Sequence, residues 1–312
     1  SSVTLTNNDT LTVDSGGEID YTWPAVDADN RTFPAGTTTI TNNGIIEGNC
    51  CVIDIRSSTN PKLINNGTIN GKNSSRTIYA NNSVDATIIN NGDITILEAN
   101  DYEAIDGDDS TGMTITNNSG ATISSEGDDA IDIENASNVT ITNAGTISAG
   151  DDWGIQADYA DGLTINNSGT ISAVDNYAIY LRNAENVSIT NSGTITSAED
   201  PINMQSSTGT VSITNSGRPS LVISLQANLI KLVLSFSKPD WSLTFNTIIF
   251  RCSLFPPYAS TPRFKIEYLM LPHFSFSLAI EISVKNLYSS LSNSFIAESE
   301  PCVERPIVTL SE

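Results

Sequence analysis

Carboxylates carry most of the chemistry open to this sequence. Asp128–Asp129 and Asp151–Asp152 are adjacent pairs, Asp108–Asp109 lies within "DGDDSTG" (106–112), and Asp175 and Asp200 follow at comparable intervals. Paired carboxylates can divide acid and base roles at a glycosidic bond. They can also hold Ca²⁺, which takes carboxylate and carbonyl oxygens. The first role needs a positioned partner and groups that grip a sugar. Residues 1–217 hold no histidine and six basic residues, of which Arg182 alone follows position 76. We therefore expect no catalysis. For the second role, Asp108, Asp109, Asp128, Asp129, Asp151, Asp152 and Asp175 are the candidate ligands of a structural Ca²⁺. The plainer reading is solvated turns that keep an acidic rod soluble. Neither an EF-hand loop nor the glycine-rich nonapeptide calcium repeat is present.

Aromatic side chains are the other candidates. Tyr102, Trp153, Tyr159, Tyr177 and Tyr180 fall in the same stretch as the aspartates. Such side chains can grip a sugar or a protein surface, or pack against turns. Metal chemistry of the zinc type has no support: His273 is the single histidine, and Cys50, Cys51, Cys252 and Cys302 include no C-x-x-C spacing. Adjacent Cys50 and Cys51 read as packed thiols. The net charge of −22 argues against nucleic acid and against an anionic membrane surface.

What positions these residues is a repeat. "VTITNAGTIS" (139–148), "LTINNSGTIS" (163–172) and "VSITNSGTIT" (187–196) follow one another at a constant interval. Aligned through the chain, a first apolar column reads Leu5, Ile40, Leu63, Ile88, Ile115, Ile141, Ile165, Ile189, Ile213. An asparagine stands two residues after each, from Asn7 and Asn42 through Asn143 and Asn167 to Asn215, and a glycine usually follows. A second column runs Leu11, Ile46, Ile69, Ile94, Ile123, Ile147, Ile171, Ile195, and a third Ile19, Ile53, Ile78, Ile105, Ile131, Ile155, Ile179, Ile202. The long first step is assigned to an insertion that includes "YTWPAVDADNRTFPAG".

Each unit thus holds three short segments in which isoleucine alternates with Thr, Ser or Asn, the period-2 pattern of strands. Three strands per coil of about 24 residues predict an all-β, right-handed parallel β-helix of about nine coils over 1–217. At ~4.8 Å per coil the rod is roughly 40 Å long. Asparagines stacked in this way can bond one another in a ladder. Asparagine and glycine also suit a corner in left-handed conformation.

"SNVTITNAGTIS" (137–148) and "ENVSITNSGTIT" (185–196) resemble the passenger domains of bacterial autotransporters, the AIDA-type adhesins in particular. The resemblance covers 1–217. It implies an extracellular, cell-surface β-helix, secreted through an outer-membrane barrel that is separate or missing here. It also implies adhesion to a host or bacterial surface protein or glycan, or self-association. A weaker resemblance links "GDDAIDI" (127–133) to the G-D-D motif of polygalacturonases. Their G-H-G and R-I-K segments do not occur in 1–217, so a pectinase-like enzyme is the alternative.

The repeat breaks in mid-phrase at Gly217. Residues 1–217 contain 29 acidic and 6 basic residues, whereas 218–312 contain 7 and 8, with eight of the nine phenylalanines. We read 218–312 as an out-of-frame continuation or a small cap, in which "FKIEYLML" (264–271) and "LAIEISVKNL" (278–287) pair as strands. The opening "SSVTLTNND" has neither Met nor a charged-then-apolar leader, which suggests a processed chain or a fragment.

Overall fold

The computed structural model describes residues 1–216, except 38, 73–75 and 98–101, together with the backbone of five later strands. No helix occurs among the described residues. The chain winds into a parallel β-solenoid of about nine coils whose strands form three sheets. One full coil shows the plan. Thr140–Asn143 supplies the first sheet, Thr146–Ala149 the second and Ile155–Gln156 the third. Each pairs with its counterpart one coil away, so Ile115, Ile141, Ile165, Ile189 and Ile213 form one column. Ile123, Ile147, Ile171 and Ile195 form the second, and Ile105, Ile131, Ile155, Ile179 and Ile202 the third.

These columns fill the interior. All are buried and belong to one continuous apolar cluster that runs from Leu5 to Ile213. A lone strand this short cannot bury a face by itself, so stability comes from stacking each coil on its neighbours. The Thr and Ser residues that alternate with the isoleucines point outward; Thr140, Thr146 and Ser148 are partly covered and Thr142 is exposed. Their side chains suit a pleated, half-buried surface.

The asparagine column is a buried ladder. Asn42 Nδ2 donates to Asn65 Oδ1 at 2.8 Å, and the same bond repeats through Asn90, Asn117, Asn143, Asn167 and Asn191 to Asn215 at 2.7–2.9 Å. Each donor amide from Asn42 to Asn167 also reaches a main-chain carbonyl across the coil boundary, as Asn143 does to Thr170 O at 2.9 Å. These asparagines do not sit in the left-handed region. That conformation occurs instead in two other columns after the third strand. One holds Ser57, Asn82, Asp109, Asn135, Tyr159, Asn183 and Ser206; the other holds Asn60, Asp85, Gly112, Asn138, Gly162, Asn186 and Gly209.

The glycine of the phrase also has a different cause from the expected one. Gly145, Gly169 and Gly193 are not among the left-handed glycines. A Cβ at Gly169 would lie well inside 3.0 Å of the Gly145 carbonyl oxygen on the coil below. Close approach of successive backbones, not backbone handedness, selects glycine there.

The first copy lies one strand away from the alignment expected of it. Leu11, not Leu5, pairs with Ile40, and Val13 takes the place of the ladder asparagine. Ile19 pairs with Ile46 in the second sheet, and Val26 with Ile53 in the third. Residues 21–36 are therefore no insertion. They carry the first coil's third strand and corner, with Ala25, Val26, Ala28 and Phe33 buried in the core. Asn7 matches the phrase by residue type, but its Oδ1 accepts from Thr32 N at 2.9 Å outside the ladder.

Beyond Gly217, Ile223–Gln226 pairs in parallel with Ile202–Gln205, and Lys231–Phe236 with Thr210–Asn215. Arg263–Met270 and Leu278–Ile282 then pair antiparallel onto those two strands. Residues 254–262, 271–277 and 283–312, over which the readings of the tail extend, lie outside the described residues.

Candidate functional site

The third sheet carries the candidate site on its outer side. Its strands are two residues long through most of the rod, so three columns of outward side chains crowd together. Two residues before the inward isoleucine stand Cys51, Arg76, Glu103, Asp129, Trp153 and Tyr177. One residue after it stand Asp54, Tyr79, Asp106, Asp132, Gln156 and Tyr180, in direct register. Three residues after it stand Arg56, Asn81, Asp108, Glu134, Asp158 and Arg182. The outer columns cover the middle one. Asp54, Asp106, Asp132, Gln156 and Tyr180 are buried although they face away from the core.

Local turns explain part of this row. The middle-column aspartates accept from the main-chain N–H two residues on, as in Asp106 Oδ1 from Asp108 N at 3.3 Å and Asp132 Oδ1 from Glu134 N at 3.1 Å. Such Asx turns lead the chain into the left-handed corner residue that follows. The remaining carboxylate oxygens face other charges. Arg76 is ion-paired with Asp106 and with Glu103 (3.1 Å), Arg56 with Asp54 at 2.9 Å, and Arg182 with Asp158.

Carboxylates outnumber cations on this face, and burial denies them water. Burial pushes Asp54 up to about 6 and Glu103 to about 7, against the pull of Arg56 and Arg76 respectively. Asp108 is pushed to about 7 by burial and then by the Asp106 charge. Asp129 and Asp132 are raised well above the usual carboxylate range, again by burial first and by neighbouring carboxylates next. Several of these groups therefore hold protons near neutral pH.

The seven candidate cation ligands divide. Asp128, Asp129 and Asp152 bring carboxylate oxygens within 4.8 Å of one another. Asp129 Oδ1 also accepts from Trp153 N at 2.7 Å, and Asp152 Oδ1 accepts from Asn176 Nδ2 at 2.8 Å. Asp108 lies on the other side of the row, where its Oδ1 accepts from Glu134 N at 2.9 Å. Asp109 is an exposed corner residue in left-handed conformation, and Asp151 and Asp175 are exposed. Glu18, Asp20 and Glu47, not singled out from the sequence, also converge. Lys72 reaches Glu47 at 2.7 Å and Asp20 at 3.7 Å there.

The aromatics divide too. Trp153 stacks on Tyr180 of the next coil, ring centroids 4.6 Å apart, and Tyr180 stacks on Tyr177 at 5.7 Å. Tyr159 is 51% exposed at its corner, with the Arg182 guanidinium 5.8 Å from its ring centroid. Tyr102 stands farther down the rod beside Arg76. Sequence reasoning passed over Arg56, Arg76, Glu103, Asp106 and Asp132. Their shared offsets from the third isoleucine were the signal that could have found them.

No curated protein and no solved structure matches this chain. The family model of the BigA third pectate lyase-like domain matches residues 1–229, a span that covers the coils, the acidic row and the aromatic stack. The chain accordingly belongs to the BigA third pectate lyase-like domain family.

Proposed function

We propose that this β-helix is a non-catalytic binding module of a bacterial surface protein, active in adhesion or self-association. The partner would be a host or bacterial surface protein or glycan, or a second copy of the chain. The observation that carries this reading is the Trp153–Tyr180–Tyr177 stack beside the carboxylates of the third sheet. Trp153 and Tyr177 are half-buried and held by the buried Tyr180, so the area they still present has little ordering left to lose on binding. Family membership supports the β-helix, and the repeat phrases support a passenger of autotransporter type carried to the cell surface. The test is adhesion and aggregation of cells that display the chain. Trp153→Ala with Tyr177→Ala should weaken binding about tenfold or more, given the roughly 1.4 kcal/mol that tenfold represents, with circular dichroism unchanged. Unaltered adhesion would remove this face from the proposal.

A second reading, a carbohydrate-active enzyme, draws on the raised carboxylates Glu103, Asp108, Asp129 and Asp132. A carboxylic acid that keeps its proton near neutrality is what protonation of a leaving oxygen requires. Release of reducing ends or unsaturated products from acidic polysaccharides would favour this reading. Retained binding without product would favour the adhesin.

A further inference from the structure

Cys50 and Cys51 do not behave as two unrelated packed thiols. Consecutive side chains on extended backbone point to opposite faces. Here the two Sγ atoms face each other at 3.2 Å. The backbone accounts for it. Cys51 has φ of +46°, and among the described residues of its column, which include Arg76, Trp153 and Tyr177, it alone takes the left-handed form. The recurring corner positions explain most other left-handed residues of the coils, but not this one. A non-glycine residue held in that region points to a local function.

The pair also has access. Both cysteines line a cavity of about 420 Å³, whose wall includes Trp23, Tyr79 and Tyr102 with Arg56 and Arg76. Trp23 is 62% exposed, Cys50 is half-buried and Cys51 is buried. A small solute entering the cavity meets Cys50 first.

We propose that Cys50–Cys51 is a redox modification site, closed to a vicinal disulfide by a small-molecule disulfide of the glutathione type. Cys50, as its thiolate, attacks one sulfur of the oxidant, forming a mixed disulfide and releasing the first thiol. Cys51 then loses its proton and attacks the Cys50 sulfur, expelling the second thiol. In sum, two protein thiols and one small disulfide give one protein disulfide and two small thiols. While both are reduced, burial and the adjacent Cys50 thiol push the Cys51 thiol up to about 12, so Cys50 rather than Cys51 makes the first attack. Residues joined by one trans peptide have Cα atoms ~3.8 Å apart, closer than the usual disulfide span, so the ring is strained and readily reopened. The site is thus reversible, and its state sets one wall of the cavity.

The test uses the whole chain. Trypsin releases residues 32–56, a peptide that contains Cys50 and Cys51 and neither of the other cysteines. After treatment with oxidised glutathione and then an alkylating agent, mass spectrometry should find this peptide lighter by two hydrogens and unlabelled. Dithiothreitol should restore two alkylation sites. A doubly alkylated peptide, a persistent glutathione adduct, or a cross-link to a peptide bearing Cys252 or Cys302 would each overturn the proposal. In a fixed glutathione buffer the ratio of disulfide to dithiol should be on the order of tenfold higher in the folded chain than in urea, because the fold already holds the sulfurs together. Equal ratios would refute a site built by the fold. Cys51→Ser should stop at the mixed disulfide on Cys50, and an unmodified Cys50 in that variant would refute the order of attack.

Discussion

At the scale of single residues, identical side chains do different work according to what covers them. Asn143 and Asn138 stand in the same repeat phrase. The first is a buried member of the amide ladder, and the second is a left-handed corner residue. Asn143→Ala removes the acceptor of Asn117 Nδ2 and the donor to Asn167 Oδ1, both at 2.8 Å. Leaving buried amides unpaired should cost about 1–3 kcal/mol in urea unfolding. Asn138→Gly, which suits a left-handed position, should change stability by less than about 1 kcal/mol. The carboxylates of the third sheet set a pH dependence. Asp54, near 6, and Glu103 and Asp108, near 7, bind protons more tightly in the folded chain than in the unfolded one. Their contribution is full below the ordinary carboxylate range, and it is lost as pH rises through 6 to 7. Thermal melts should therefore give a lower Tm at about pH 8 than at about pH 5. Asp108→Asn should flatten that slope, and an unchanged slope would show that Asp108 titrates normally.

At the scale of the coil, the phrase N-x-G is a device for tight stacking. The asparagine satisfies the turn from inside, and the glycine lets one backbone pass close to the next. Gly169→Ala places a methyl against the Gly145 carbonyl, and main chain cannot yield there as a side-chain tip would. Loss of about 3 kcal/mol or more is expected, of the size reserved for backbone clashes and overpacking. By contrast, Gly120 is left-handed with open space around it, because the extra residue in its copy moves it out of the stack. Gly120→Asn should be tolerated far better than Gly169→Ala, and chemical denaturation of the two variants side by side decides this. Much of the coil was legible in the sequence. The isoleucine columns, the ladder and the pitch all follow from period-2 alternation and from one repeated phrase. The first coil was not, because Asn7 imitates the phrase while Val13 fills the ladder position. Residue type pointed to one register there, and burial of Ala25, Val26 and Phe33 selected the other.

At the scale of the whole molecule, the rod is a stack of nearly interchangeable units, each in contact with its neighbours. Deleting residues 144–167 removes one whole coil and joins Asn143 to Ser168, which restores the phrase. This variant should stay folded, with a urea m-value reduced in proportion to the surface lost. Deleting Thr142 alone instead makes Ile141 and Asn143 neighbours within one strand, so the two can no longer both face inward. That variant should unfold at lower urea than the whole-coil deletion.

Sequence by itself determined the architecture, because an unbroken apolar column that returns once per phrase has few ways to be buried except by stacking. It also marked the Trp153, Tyr177 and Tyr180 aromatics and the acidic turns as the unusual outward residues. Only the tertiary structure decided which of these meet. Trp153 stacks across a coil boundary on Tyr180 while Tyr159 stays apart, and Asp128, Asp129 and Asp152 converge while Asp151 and Asp175 do not. The reason is geometric. Neighbours in this fold lie a full coil apart along the chain but one strand spacing apart in space, so small offsets at the corners set every contact between coils. The same holds for Cys50 and Cys51, whose adjacency was plain in the sequence. That their sulfurs touch follows from the left-handed backbone at Cys51.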